Sequence, residues 1–234
     1  MDRRKFNSCS PLLLIGVLGL GAEPAAALTL EQISQTEAAK GLKLALERGA
    51  REAIGQLGQV NGYLGNEKVR IPLPPQLEDG QRLLRRLGQG RRLDELVTSM
   101  NRAAEDAVPM AQGLMLDAVR GMSIEDARKI LGGDETSATR FFADKTRAPL
   151  TQQFLPVVTR TTDKVGLATQ YNRIAQRAAG FGLLRPEEAS IQQFVTGKAL
   201  DGLYLMMGEE ERKIRRDPVG TGSALLRKVF GALR

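Results

Sequence analysis

The polar side chains with most scope for chemistry sit inside helical runs that are otherwise apolar. Asn101 and Glu105 are four residues apart, as are Arg102 and Asp106, so each pair can meet on a helix surface. As exposed pairs they would contribute tenths of a kcal/mol. Facing a cleft, Asn101 and Glu105, with Arg102 beside them, would instead bind a ligand. Tyr171, Asn172 and Asp201 stand among Ala, Leu and Ile, where an inward-facing polar group must find a partner. They read either as hydrogen bonds between helices or as the polar lining of a ligand site. Gly220, Thr221, Gly222 and Ser223 precede the last helical run and would present backbone N–H groups to an anion. They lack the glycine–lysine ending of a P-loop and follow no strand, so a cap from Thr221 or Ser223 is the competing account. Glu209–Lys213 and Glu211–Arg215 have the favourable Glu-before-base spacing of a solvated helix end. Met100, Met110, Met115, Met122, Met206 and Met207 form an adaptable apolar set suited to a core or to a pocket for a hydrophobic ligand.

Much chemistry is excluded. Histidine is absent and Cys9 is the sole cysteine, which removes Ser–His–Asp triads, Cys–His pairs and histidine-containing zinc sites. No metal and no cofactor is expected, since soft ligands for transition metals are missing and no Asp-x-Asp-x-Asp-Gly calcium loop appears. An enzyme would have to work with carboxylates, Tyr and Arg. Two carboxylates flanking one cleft can hydrolyse glycosidic bonds at a separation of about 5 to 9.5 Å, although nothing in the spacing shows such a pair. A carboxylate-dependent hydrolase of the cell envelope is therefore the alternative, and a binding or interaction protein the main reading.

The elements that must position these residues are helices. Apolar residues recur at helical spacing almost throughout, and strict alternation is confined to Val69–Leu73. The fold class is all-α, a single irregular bundle of about nine or ten helices with one extended proline-rich loop. A capping box at Thr29 and Gln32 opens a short helix ending near Ser34. The next helix runs from after Thr36 to about Leu57, with Leu42, Leu46, Ala50, Ala53, Ile54 and Leu57 on one face. Gly58 to Pro75 is irregular, with the Asn61-Gly62 turn signal and then Ile71-Pro72-Leu73-Pro74-Pro75, extended because a residue before proline avoids the helical region. Ile71 and Leu73 should point inward. Helices follow at about 76–87, 91–107 and 110–121, then one capped by Ser123 and stopped by Gly132-Gly133, then 135–146, 148–165, 168–179, 190–215 and 222–232.

The first 27 residues resemble a cleavable export signal: Arg3, Arg4 and Lys5, an apolar run from Leu12 to Ala22, then Ala25, Ala26 and Ala27. The run is far shorter than the roughly 20 residues of a membrane-spanning helix and is weakened by Gly16, Gly19 and Gly21. Cleavage after Ala27 and a periplasmic location are expected, without a permanent membrane anchor. Arg3 and Arg4 fit a twin-arginine signal and an ordinary secretory one alike. Cys9 lies ahead of the apolar run, where a lipid-modified cysteine would follow it. Residues 1–27 hold three basic and two acidic side chains, so their removal takes the formal charge from +7 to +6. An excess this small suits an anionic or hydrophobic envelope ligand, or another envelope protein. Nucleic acid is not expected, because the bases are interleaved with acids.

Several stretches together resemble one bacterial family. They are Val69-Arg70-Ile71-Pro72-Leu73-Pro74, Met100-Asn101-Arg102-Ala103-Ala104-Glu105, Thr162-Asp163-Lys164-Val165-Gly166-Leu167, Ala199-Leu200-Asp201-Gly202-Leu203-Tyr204, and the tail from Asp217-Pro218 to Phe230. The family is domain of unknown function 4197, and the resemblance covers about Leu28 to Leu233. It implies an exported helical protein and brings no activity, cofactor or catalytic residue with it.

Overall fold

The computed structural model describes residues 35–181 and 189–217. Among them are eight α-helices and no strand: α1 Gln35–Leu57, α2 Pro75–Arg86, α3 Gly90–Ala107, α4 Ala111–Arg120, α5 Ile124–Leu131, α6 Ser137–Thr162, α7 Gly166–Gly180 and α8 Ile191–Arg216. The short helix expected before Ser34, the one at 222–232 and the candidate anion site Gly220–Ser223 lie outside the described residues.

The two longest helices, α6 and α8, pack along each other, and α3 lies against both. On the far side α1 crosses α8, α4 and α5, whereas α2 rests mainly on α3. The reason lies in the spacing of apolar residues. On α3, Leu93, Leu96, Met100, Ala103, Ala104 and Ala107 fall at helical intervals, and all are buried. Small residues at this seam let α3 approach its neighbours closely, while Phe142, Leu150 and Phe154 of α6 fill the middle. Each large side chain so buried contributes about 1.5 to 3 kcal/mol. Five of the six methionines singled out join this core, Met100, Met115, Met122, Met206 and Met207 being buried, whereas Met110 is exposed.

The helix α6 is continuous where the sequence suggests two helices, at 135–146 and 148–165. Pro149 and Pro156 both lie inside it. Each proline removes one ladder bond, yet Phe142, Thr146, Leu150, Phe154, Val157 and Val158 bury one face of the helix across both sites, and that packing outweighs the two lost bonds. The hydroxyl of Thr146 bonds the Phe142 carbonyl at 2.6 Å and that of Thr159 the Leu155 carbonyl at 2.7 Å, so polar groups on the buried side are satisfied within the helix.

Local signals are met elsewhere. Ser123 and Asp126 form a reciprocal capping box at the start of α5. Pro109 sits in the 3-10 turn Val108–Met110 that joins α3 to α4. Helix α2 ends in a Schellman motif: the Gly88 N–H bonds Arg85 O at 3.1 Å and the Gln89 N–H bonds Leu84 O at 2.9 Å, with Gly88 at φ +76°.

Candidate functional site

The segment from Gly58 to Pro74 lies across α3 and α8, and most of the polar residues singled out on α3 hold it there. Ile71 and Leu73 point into the core. Asn101 is fully buried. Its Oδ1 accepts from the Ile71 N–H at 2.8 Å, and its Nδ2 donates to Ile71 O at 2.9 Å and to Val97 O at 2.8 Å. The side-chain amide thus takes the place of a neighbouring strand, which is why an alternating stretch such as Val69–Leu73 stays extended without a sheet. One turn on, Glu105 is also buried. Its Oε1 accepts from the N–H groups of Tyr63 and Leu64, both at 3.0 Å. Its Oε2 meets the guanidinium of Arg102, whose other nitrogen donates to Asn61 Oδ1 at 2.9 Å. Asn61 has φ 69°, the left-handed geometry its short amide tolerates. Spacing suggests Asn101 with Glu105 and Arg102 with Asp106 as pairs. The structure instead joins Arg102 to Glu105 and brings Asp106 to Thr161 at 3.4 Å.

The same segment is tied to α8 by Tyr63, which the sequence reading did not pick out. Its hydroxyl donates to Ala199 O at 2.6 Å. Burial, helped by the nearby carboxylates of Asp201 and Glu105, pushes that hydroxyl far above the usual tyrosine range, so it remains a donor at any physiological pH. The ring lies where a side chain at 202 would be: a Cβ on Gly202 would come within 2.7 Å of Tyr63 Cε1 and 3.2 Å of Val69 Cβ. Gly202→Ala is therefore expected to destabilise by about 1 to 3 kcal/mol through overpacking. A chemical-denaturation curve with an unchanged midpoint would show that the ring can yield.

The remaining candidates stand apart from this clamp. Tyr171 of α7 is buried and donates to Gln76 Oε1 of α2 at 3.1 Å. Asn172 accepts from the Ile191 N–H at 2.8 Å and donates to Gln192 Oε1 at 2.8 Å, while Gln192 reaches Asp163 at 2.7 Å. This chain closes the start of α8. Asp201 is half exposed and pairs with Arg147 at 2.8 Å, whose guanidinium also lies 5.2 Å from the Tyr204 ring centre. At the end of α8, Glu209 pairs with Lys68 at 2.7 Å and Lys213 with Glu210 at 3.6 Å, in place of a Glu209–Lys213 pair. Glu211 and Arg215 do meet, at 3.0 Å, but as a buried pair and not on a solvated helix end. Asn101, Arg102 and Glu105 thus come together, Tyr171 and Asn172 form a second locus, and Asp201 forms a third. Among the described residues no three carboxylates stand close enough to hold a metal ion.

Beside the clamp is an open groove of about 500 Å³ between the 67–73 stretch, α2 and α3. Pro72, Leu73 and Val97 give it apolar walls, and Arg70, Arg85 and Asp94 its charges. Arg85 and Asp94 face each other at 2.6 Å, and that bond holds the Asp94 carboxyl below the usual carboxylate range. Among the described residues the Arg70 guanidinium has neither an ion-pair nor a hydrogen-bond partner. No cue of residue spacing points to this groove, because it is made by pinning a loop whose anchor lies 30 residues away.

These features define a class of all-α protein in which a proline-rich loop is bolted to the helical core by buried amide and carboxylate side chains. Within that class, the chain belongs to the family of proteins of unknown function DUF4197, which it matches over residues 32–231. No curated protein and no solved structure matches it.

Proposed function

We propose that this protein is an exported helical binding protein of the bacterial envelope, and that its ligand is an anionic or partly apolar envelope component held in the groove between the 67–73 stretch, α2 and α3. The carrying observation is Arg70, a free guanidinium beside the apolar walls Pro72, Leu73 and Val97. The rest of the lining is mainly polar and charged, so the groove suits a ligand with charged groups around a small apolar part, its orientation fixed by those polar side chains. The buried interior offers no rival: among the described residues the sole buried side-chain polar atom without a partner is Thr196 Oγ1. Export is supported by the basic, apolar and small-residue succession of residues 1–27. No helix among the described residues is long and apolar enough to cross a membrane. Hydrolysis fits less well. Glu67, Glu78 and Asp94 border the groove, but Asp94 is kept ionised by Arg85 and so cannot serve as the general acid at neutral pH.

Native mass spectrometry of protein recovered from the periplasm tests this. A co-purifying mass that disappears in Arg70→Ala is the expected result. A bare polypeptide mass in wild type, or a ligand retained by the variant, would overturn the groove assignment. A chain still beginning at Met1 in the membrane fraction would overturn export.

A further inference from the structure

We infer that the turn joining α2 to α3 is a docking surface for an anionic phospholipid bilayer, a role beyond the ligand groove and independent of what fills it. Between Gln81 and Leu93 the chain carries Arg82, Arg85, Arg86, Arg91 and Arg92 and no acid. All five are exposed. The nearest acids account for only two of them: Asp94 pairs with Arg85 and Glu95 with Arg91. Glu78 lies in the first turn of α2 and forms no ion pair with Arg82. Arg82, Arg86 and Arg92 have no ion-pair partner among the described residues.

Between these cations two large apolar side chains face solvent. Leu83 is 62% exposed and Leu87 64%, and they are one helical turn apart at the end of α2. They flank the packed face of α2, where Leu77 and Leu84 lie against the core. Gly88, with open space around it and a positive φ, ends the helix so that Leu87 stands at the turn. Leucines ringed by arginines match the interface of an anionic bilayer, where apolar side chains enter the acyl boundary and cations meet lipid phosphates. The leucines also separate this partner from nucleic acid. A phosphate backbone would use the arginines and leave Leu83 and Leu87 without a role.

The test is co-sedimentation of the naturally processed protein with vesicles of phosphatidylcholine alone or mixed with phosphatidylglycerol. Binding to the mixed vesicles, weakened by salt, and none to the neutral ones is expected. Each arginine near such a surface is worth about fivefold in partition, so the combined variant Arg82→Gln, Arg86→Gln, Arg92→Gln should bind about a hundredfold more weakly. Leu83→Ser with Leu87→Ser keeps the charge and should still lose about tenfold or more. The affected side chains are exposed, so melting temperatures should not move. Equal binding to both vesicle types, or undiminished binding by either variant, would overturn the proposal. Salt-sensitive binding to duplex DNA that survives the leucine changes would also overturn it, in favour of nucleic acid. Arg70→Ala should leave vesicle binding unchanged, which separates failure here from failure of the groove reading.

Discussion

Replacing Glu105 with alanine is expected to lower stability by about 3 kcal/mol, with a fall in melting temperature of roughly 6 to 12 °C for a chain of this size. The carboxylate satisfies the backbone N–H groups of Tyr63 and Leu64 and faces Arg102. Its loss leaves two amides without acceptors inside the protein, each at a cost of about 1 to 3 kcal/mol. Arg102 is one-third exposed and can turn to water, which keeps the total below that of a fully buried pair. Amide exchange at Tyr63 and Leu64 should accelerate with it, because these are the groups released. Asp201→Ala provides the contrast. Asp201 and Arg147 are both about half exposed, and such a pair is worth about 0 to 1 kcal/mol. Equal losses in the two variants, or a loss under about 1 kcal/mol in Glu105→Ala, would mean that the loop holds its position without the carboxylate.

The contrast between these two residues shows what spacing could and could not reveal. Helical periodicity made α1, α3 and α8 legible nearly to their ends, because each carries an apolar stripe broad enough to be recognised without knowing its partner. Ile71 and Leu73 were legible for the same reason: prolines force the stretch to be extended, and an extended stretch puts alternate residues on one side. Asn101 and Glu105 were recognisable as polar groups in an apolar helix, but their partners lie 30 and 42 residues upstream. No local pattern encodes that distance. Tyr63 left no signal at all, since its role depends on the space left by Gly202 on another helix. The break placed near Pro149 was a fair reading of local chemistry that tertiary packing overrides. The unpartnered leucines of α2 were hidden for a further reason. An amphipathic helix announces that one face is covered, and only the fold shows that Leu84 is on the covered side and Leu83 and Leu87 are not.

Glu211→Ala is expected to be the most damaging of the single changes, at about 3 to 5 kcal/mol. Glu211 and Arg215 are 6% and 13% exposed, so neither can recover hydration without opening the bundle. One carboxylate oxygen accepts from the Ala138 N–H at 3.1 Å, and the other accepts from the N–H and hydroxyl of Thr139, both at 2.9 Å. These amides belong to the first turn of α6, where the chain's own N–H groups have no helical acceptor and the helix dipole favours a negative charge. Thr136, the residue at the N-cap position, makes no side-chain cap bond. Glu211 therefore caps α6 from α8 and fixes the register of the two longest helices. Arg215 completes the arrangement by donating to Ile130 O at 2.8 Å, so the end of α5 depends on the same carboxylate. Glu211→Gln keeps the shape and one acceptor oxygen, but it loses the charge opposite Arg215 and turns an N–H donor toward groups that are themselves donors. It should recover only part of the loss. Arg215→Met, which fills the space without leaving a cation, should cost less than Glu211→Ala, because it strands one carboxylate whose amide bonds remain. Urea unfolding of the three variants gives the order directly. If Arg215→Met proves the worst, the ion pair and not the cap of α6 is what joins these helices.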